Sequence, residues 1–161
     1  MPFFDNTTGG GGSCIDKFGE NGTLEINKCK FYDNKSNYWA SCVWVGTSRS
    51  DSRNDQCLIT DSVFKGNYGK YTSTVATSSE NCVIKNCLFE NNECDSGGTV
   101  NVSHYGTLEV VDTDITGNIC TSDEEDDSTT AGICIDACGK LVLNGKVNIT
   151  CLLYTSDAAD E

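Results

Sequence analysis

The chain has 161 residues and is acidic, with 24 Asp and Glu against 11 Lys and Arg and a formal net charge of −13. This charge argues against nucleic acid or an anionic membrane surface as a partner, since both attract clustered basic residues. The chain also lacks the run of about 20 apolar residues that a transmembrane helix needs, so no membrane insertion is expected.

The 16 Gly and the single Pro indicate a chain of short strands. Runs of Val, Ile, Thr and aromatic residues alternate with clusters of Gly, Asn and Ser, as in strands joined by turns. The chain opens within such a unit, because Phe3 to Asn6 already forms a turn motif. Both ends are therefore expected to lie inside a longer protein, with flanking coils as partners.

Five asparagines recur every 25 to 33 residues and organise the chain into repeats. They are Asn6, Asn34, Asn67, Asn92 and Asn118. Three positions before them lie Phe3, Phe31, Phe64, Phe89 and Ile115, and eight positions before the last four lie Ile26, Ile59, Ile84 and Val110. Each unit thus predicts an alternating strand, a break, a second short strand and an asparagine turn. We expect the asparagines to take the left-handed conformation at a corner and to pass amide hydrogen bonds between units.

A second alternating motif lies upstream of the first in each unit. It reads GGSCI at 11–15, ASCVWV at 40–45, STVAT at 73–77, GGTVNV at 97–102 and AGICI at 131–135. The register between these segments remains open at the level of sequence.

Repeats of this kind predict an all-β fold, a right-handed parallel β-helix of about five coils over residues 1–150, without caps. Each strand would pair in parallel with its counterpart one coil away, about 4.8 Å off, so that like residues stack into columns. The alternative is an antiparallel sandwich with Asn at its hairpin turns, but Asn-Gly hairpin pairs are scarce. Residues 151–161 resemble a translated sequencing-library adapter and are set aside from the fold.

The cysteines divide into inward and outward sets. Cys29 and Cys87 share one predicted inward column, Cys57 and Cys82 a second, and Cys14 and Cys134 a third. Cys57 and Cys82 lie on consecutive coils, within the range that a disulfide permits, but the inward cysteines are expected to pack as thiols. Two more cysteines, Cys94 and Cys120, follow turn asparagines by two residues. We expect these two on exposed loops, in equivalent positions one coil apart, as the better candidates for a disulfide.

The paired motifs resemble those of a known family. GG-x-x-[ILV] at Gly11–Ile15, with F-x-x-N at Phe31–Asn34, Phe64–Asn67 and Phe89–Asn92, is similar to the repeats of chlamydial polymorphic outer membrane proteins and of cysteine-rich protist surface proteins. The resemblance implies a pectin-lyase-like right-handed β-helix at a cell surface or outside the cell, often with an adhesive role. The chain departs from the family in having no membrane-anchoring region, Ala40-Ser41 in place of GG, and Ile115 in place of Phe.

For an adhesin-like role, the candidate contacts with a host or cell-surface glycan are Tyr38, Trp39 and Tyr71. Exposed loops at 46–56 and 119–130 are further candidates for recognition of a glycan or protein, because loops carry binding in solenoids. Trp44 can face inward or outward. A purely structural stalk or wall scaffold is an alternative that sequence does not separate from an adhesin.

A polysaccharide lyase or glycoside hydrolase is the other alternative, and its candidate carboxylates are Asp61, Asp112 and Asp114. Asn86 occupies the intervening position, so no acidic cluster is predicted, and the chain is expected not to be an enzyme. The lone His104 has no evident catalytic partner. No cofactor is expected, and zinc is disfavoured. The acidic run offers a weak calcium site at Asp123, Glu124, Asp126 and Asp127, or a solvated loop.

Overall fold

A computed structural model describes residues 1–9, 14–18, 21–46, 55–121 and 130–150, with the backbone of 153–154. Its strands form six successive coils, which we number I to VI. Coil I contains β1 (Pro2–Phe4), β2 (Thr7–Thr8) and β3 (Ile15–Phe18). Coil II contains β4 (Thr23–Asn27), β5 (Lys30–Tyr32), β6 (Lys35–Ser36) and β7 (Val43–Gly46). Coil III contains β8 (Gln56–Thr60), β9 (Val63–Lys65), β10 (Tyr68–Gly69) and β11 (Thr72–Thr77).

The remaining coils repeat this order. Coil IV contains β12 (Asn81–Lys85), β13 (Leu88–Glu90), β14 (Glu93–Cys94) and β15 (Gly98–Val102). Coil V contains β16 (Thr107–Val111), β17 (Asp114–Thr116), β18 (Ile119–Cys120) and β19 (Ile133–Ile135). Coil VI contains β20 (Lys140–Asn144), β21 (Asn148–Thr150) and β22 (Leu153–Tyr154), the last of which falls within 151–161 and pairs with β18.

Four sheets run along the stack, each built from one strand of successive coils. Sheet 1 is β4-β8-β12-β16-β20, sheet 2 is β1-β5-β9-β13-β17-β21, sheet 3 is β2-β6-β10-β14-β18-β22, and sheet 4 is β3-β7-β11-β15-β19. All the strand pairs are parallel and join neighbouring coils, as in β8 with β12 and in β12 with β16. The prediction of an all-β parallel solenoid is confirmed, and the antiparallel sandwich is excluded. In the described residues a complete coil has four strands, and no helix there is long and apolar enough to cross a membrane.

The core consists of columns of like side chains. On sheet 1 the successive register partners are Ile26, Ile59, Ile84 and Val110. On sheet 2 the rings of Phe3, Phe31, Phe64 and Phe89 stack nearly parallel, with centroids 4.6 to 4.7 Å apart, and Ile115 continues the column. The coil spacing of about 4.8 Å in a parallel sheet matches this ring separation, so one aromatic per coil fills the column without a gap.

The asparagines form the corner between sheets 2 and 3. Each Nδ2, from Asn6 to Asn92, donates to the Oδ1 of the next asparagine at 2.8 to 2.9 Å. The same Oδ1 accepts the backbone N–H of the preceding asparagine. From Asn34 onward, Nδ2 also donates to the carbonyl of residue 3, 31, 64 or 89, one coil earlier. The last four asparagines are fully buried, so this network satisfies polar groups that water does not reach.

The expectation that these asparagines adopt the left-handed conformation is wrong. The residue before each of them does so instead, namely Asp5, Asp33, Gly66, Asn91 and Gly117, with φ between 48° and 67°. The asparagine must direct its carboxamide into the stack, so the bend is made one position earlier. Gly, Asn and Asp are the residues that tolerate positive φ most readily.

The corner between sheets 1 and 2 follows the same rule. Asp61 and Asp112, with φ of 51° and 47°, precede Ser62 and Thr113. The Ser62 hydroxyl accepts the backbone N–H of Cys29 at 3.1 Å and donates to the carbonyl of residue 60. Likewise, the Thr113 hydroxyl accepts the backbone N–H of Cys87 and donates to the carbonyl of residue 111. Both corners therefore have a residue in the left-handed conformation followed by an inward-pointing polar residue.

Two predictions about cysteines are wrong. Cys94 and Cys120 are fully buried in β14 and β18, not on exposed loops, because their side chains point into the stack from sheet 3. Cys14 and Cys134 do not share a column: Cys14 precedes Ile15 whereas Cys134 follows Ile133, and these isoleucines are the residues in equivalent positions. The sequence left this register open because β11 shifts register against β15, with an additional residue in β11.

Gly69 provides a test of close packing at the third corner. It occupies the sheet 3 column that holds Ser36 and Cys94 in the neighbouring coils, and a Cβ there would overlap the carbonyl of Thr72. We expect Gly69→Ala to lower the free energy of unfolding by about 1–3 kcal/mol in urea titrations. Gly9→Ala, where a Cβ would meet no atom within 4 Å, is expected to change it by less than about 0.5 kcal/mol. Equal losses in the two variants would contradict the packing argument.

Candidate functional site

Three aromatic side chains, two of them exposed and the third half-buried, form a cluster on the loops that join sheet 3 to sheet 4. Tyr38 and Trp39 follow β6 in coil II, and Tyr71 follows β10 in coil III. Their ring centroids lie 5.2 to 5.6 Å apart, and the two rings of coil II are 46% and 40% exposed. The backbone N–H of Tyr71 donates to the carbonyl of Tyr38 at 3.0 Å, which fixes the loops side by side. The structure thus brings together all three residues that the sequence predicted as candidate contacts with a glycan.

The outer face of sheet 4 extends this aromatic surface. Trp44 is half-buried between inward-facing Val43 and Val45, and its register partner in the next coil is the small residue Ala76. Phe18, from coil I, stacks on the Trp44 ring with centroids 6.0 Å apart. The sequence could not decide the orientation of Trp44, because alternation places it outward only once the register of sheet 4 is known.

Two neighbouring depressions lie along this face and share Trp39 and Asn101. The first is lined by Trp44 and by the polar residues Thr77, Ser78, Ser103 and His104. The second is lined by Tyr71, Thr72, Ser96, Gly97, Cys134 and Asp136. Together they extend from coil II to coil V and combine aromatic rings with small polar side chains.

Uncharged side chains predominate among the residues that line these depressions. Asp16 is the register partner of Trp44 in coil I, and partial burial raises the pKa of its carboxyl. Asp136 lines the second depression, and the Lys70 ammonium lies 5.6 Å from the Tyr71 ring centroid. The arrangement offers flat aromatic faces and neutral hydrogen-bonding groups, the usual make-up of a site for a polar, uncharged ligand.

His104 lies on this surface, in the turn between β15 and β16. Its Nδ1 is 2.9 Å from the Ser103 hydroxyl, a neighbour that the sequence analysis did not identify as a partner. Both residues have a side chain in the first depression. His104 and Tyr105 both have positive φ, 51° and 64°, in this turn.

The carboxylates of the enzyme alternative lie elsewhere, along the corner between sheets 1 and 2. Asp61 and Asp112 are two coils apart, which puts their backbones about 9.6 Å from each other, and Asn86 lies between them. The Asn86 amide donates to Asp61, and Asp112 accepts the backbone N–H of Lys146 at 2.9 Å. Asp114 is exposed at the start of β17. These contacts give the first two carboxylates structural partners at a bend of the chain.

The acidic run that offered a calcium site lies outside the described residues. So do 47–54 and 122–129 of the two candidate loops, and residues 11–13 of the first GG motif. Within the described ranges, no group of three or more His, Cys, Asp and Glu side chains is placed to hold a metal ion.

The fold defines the class of this protein as a parallel β-solenoid. Neither a protein-family model nor a curated protein nor a solved structure matches the chain.

Proposed function

We propose that this chain is a repeat module of a secreted or cell-surface protein that binds glycans through the outer face of sheet 4, in an adhesin-like display role. The observation that carries the proposal is the cluster of Tyr38, Trp39 and Tyr71, held together on two coils, in which Tyr38 and Trp39 are exposed and Tyr71 is half-buried.

This chain buries most of its apolar side chains in columns, so a cluster of large aromatic residues at the surface indicates a binding role. Aromatic faces pack against the apolar faces of sugar rings, while amide and hydroxyl groups bind the sugar hydroxyls. Trp39 and Asn101 supply one group of each kind to both depressions. The resemblance of the repeats to those of chlamydial polymorphic outer membrane proteins, including a right-handed winding, belongs to the same proposal and supports display at a cell surface.

Replacing Trp39 with alanine is expected to weaken glycan binding at least tenfold, about 1.4 kcal/mol, because Trp39 borders both depressions and contacts both tyrosines. A glycan array identifies the ligand, and isothermal titration of the best binder measures the change. Trp39→Phe, which keeps an aromatic face, is expected to retain most of the affinity.

Leu58→Ala is the matched control, since Leu58 is 38% exposed but lies on the outer face of sheet 1. Its affinity should equal that of the parent chain. If the folded protein binds no glycan on the array, the scaffold alternative replaces this proposal. Release of oligosaccharide from a bound polysaccharide, abolished by Asp112→Asn, would support the enzyme alternative instead.

A further inference from the structure

Three pairs of cysteines are stacked on neighbouring coils. The clearest is Cys94 with Cys120, register partners in β14 and β18 whose sulfur atoms lie 3.6 Å apart in a fully buried site. Cys57 and Cys82 are register partners in β8 and β12, and both are buried.

The third pair has one cysteine in coil I and one in coil II. Cys14 and Cys42 immediately precede Ile15 and Val43, which are register partners in β3 and β7. The backbone N–H of Ile15 donates to the carbonyl of Cys42 at 2.9 Å, which holds the two segments side by side. For the two pairs of register partners, the Cα atoms lie about 4.8 Å apart, inside the range of about 4.4–6.8 Å that a disulfide permits. Cys14 and Cys42 continue the register of β3 and β7 by one residue, so a similar spacing is expected for them.

We propose that these pairs are oxidative modification sites, at which Cys14–Cys42, Cys57–Cys82 and Cys94–Cys120 form disulfides that join coil I to II, III to IV, and IV to V. The oxidant is a low-molecular-weight disulfide such as glutathione disulfide. One cysteine thiolate attacks it and releases one glutathione, and the second cysteine then attacks the mixed disulfide and releases another. Per pair, two thiols are oxidised to one disulfide, and one glutathione disulfide is reduced to two thiols.

The fold supplies its own negative control in the column of Cys29 and Cys87. Ser62 occupies the intervening coil, so the two cysteines are two coil steps apart, about 9.6 Å and outside disulfide range. Separation along the sequence does not favour the proposed pairs, because other cysteines, such as Cys82 and Cys87, lie closer to each other along the chain. Pairing by register therefore predicts which cysteines join and which do not.

Oxidation is expected to accompany folding. Burial raises the pKa of the Cys42 thiol, and hydrogen bonding to the partner thiol, together with burial, raises the pKa values of Cys82 and Cys94. A raised thiol pKa leaves less thiolate at neutral pH, and the thiolate is the nucleophile in exchange. The folded, reduced protein should therefore react slowly with glutathione disulfide, whereas the refolding chain should react readily.

The test is to refold the reduced 161-residue chain, with Cys151→Ser, in a glutathione redox buffer. Disulfides are then mapped by mass spectrometry of unreduced peptides. The expected result is three cross-links at the named pairs, a loss of two hydrogens for each, and alkylation of Cys29 and Cys87 after denaturation. The oxidised protein should melt at a higher temperature than the reduced protein.

Cys94→Ser provides the matched variant, because Ser36 occupies the same column in coil II and shows that serine fits there. It should remove one cross-link and leave the other two. Alkylatable Cys94 and Cys120 in the refolded parent, or cross-links from either of them to Cys29 or Cys87, would overturn the proposal.

Discussion

Replacing Asn67 with alanine is expected to lower the free energy of unfolding by about 3–5 kcal/mol. Its Nδ2 donates to Asn92 Oδ1 and to the carbonyl of Phe31, and its Oδ1 accepts the backbone and side-chain N–H groups of Asn34. Alanine leaves the Asn34 backbone N–H and the Phe31 carbonyl without these partners in a fully buried corner. Each such orphan costs about 1–3 kcal/mol.

Urea denaturation followed by circular dichroism measures this loss. Asn81→Ala is the control, since Asn81 is an exposed asparagine at the start of β12 and lies outside the corner. It should change the free energy of unfolding by less than about 0.5 kcal/mol. A loss at Asn67 no larger than that at Asn81 would mean that the buried amides do not stabilise the stack.

Replacing Phe64 with alanine is expected to lower the free energy of unfolding by about 3–5 kcal/mol. The ring is fully buried between those of Phe31 and Phe89, with centroids 4.7 and 4.6 Å away. Removing it leaves a cavity in the middle of a column, where coils above and below are held by their own sheets and cannot collapse freely.

Two variants sharpen this measurement in the same urea titrations. Phe64→Ile, which copies the residue that Ile115 places in the column, should lose only about 1–2 kcal/mol. Phe4→Ala removes a ring that is 52% exposed, and should lose less than about 1 kcal/mol. If the alanine variants at positions 4 and 64 are equally destabilised, the stacked column is not a main source of stability.

The coil architecture could be predicted from sequence because the same residue types return in the same order. A phenylalanine three positions before an asparagine fixes two points of each coil, Phe64 and Asn67 for example, whatever the loop length between coils. The side-chain period of a strand then decides which neighbouring residues face inward.

Corner conformations could not be predicted in the same way. The asparagine was assigned the left-handed backbone because its residue type tolerates it, whereas the preceding Asp33 or Gly66 adopts it. Residue type alone does not separate these two positions, since both hold residues that tolerate positive φ. The hydrogen-bonding demand of a buried carboxamide decides between them.

The candidate site could be predicted only as a set of aromatic residues. Six residues join β6 to β7, but only two join β10 to β11. Because the loops differ so much in length, an alignment of the coils on their asparagines does not predict the contact of Trp39 with Tyr71. The outward orientation of Trp44 also required the register of sheet 4, which β11 shifts.

The hydrogen-bonded carboxamides of the asparagine corner all point the same way, because each donates toward the following coil. Amides aligned head to tail polarise one another, so the corner has a direction as well as a length. The gain or loss of one complete coil keeps every amide donor facing an acceptor, whereas a coil of opposite direction would place donor against donor. Proteins of this design can therefore lengthen or shorten during evolution by single complete turns, without redesign of the interior.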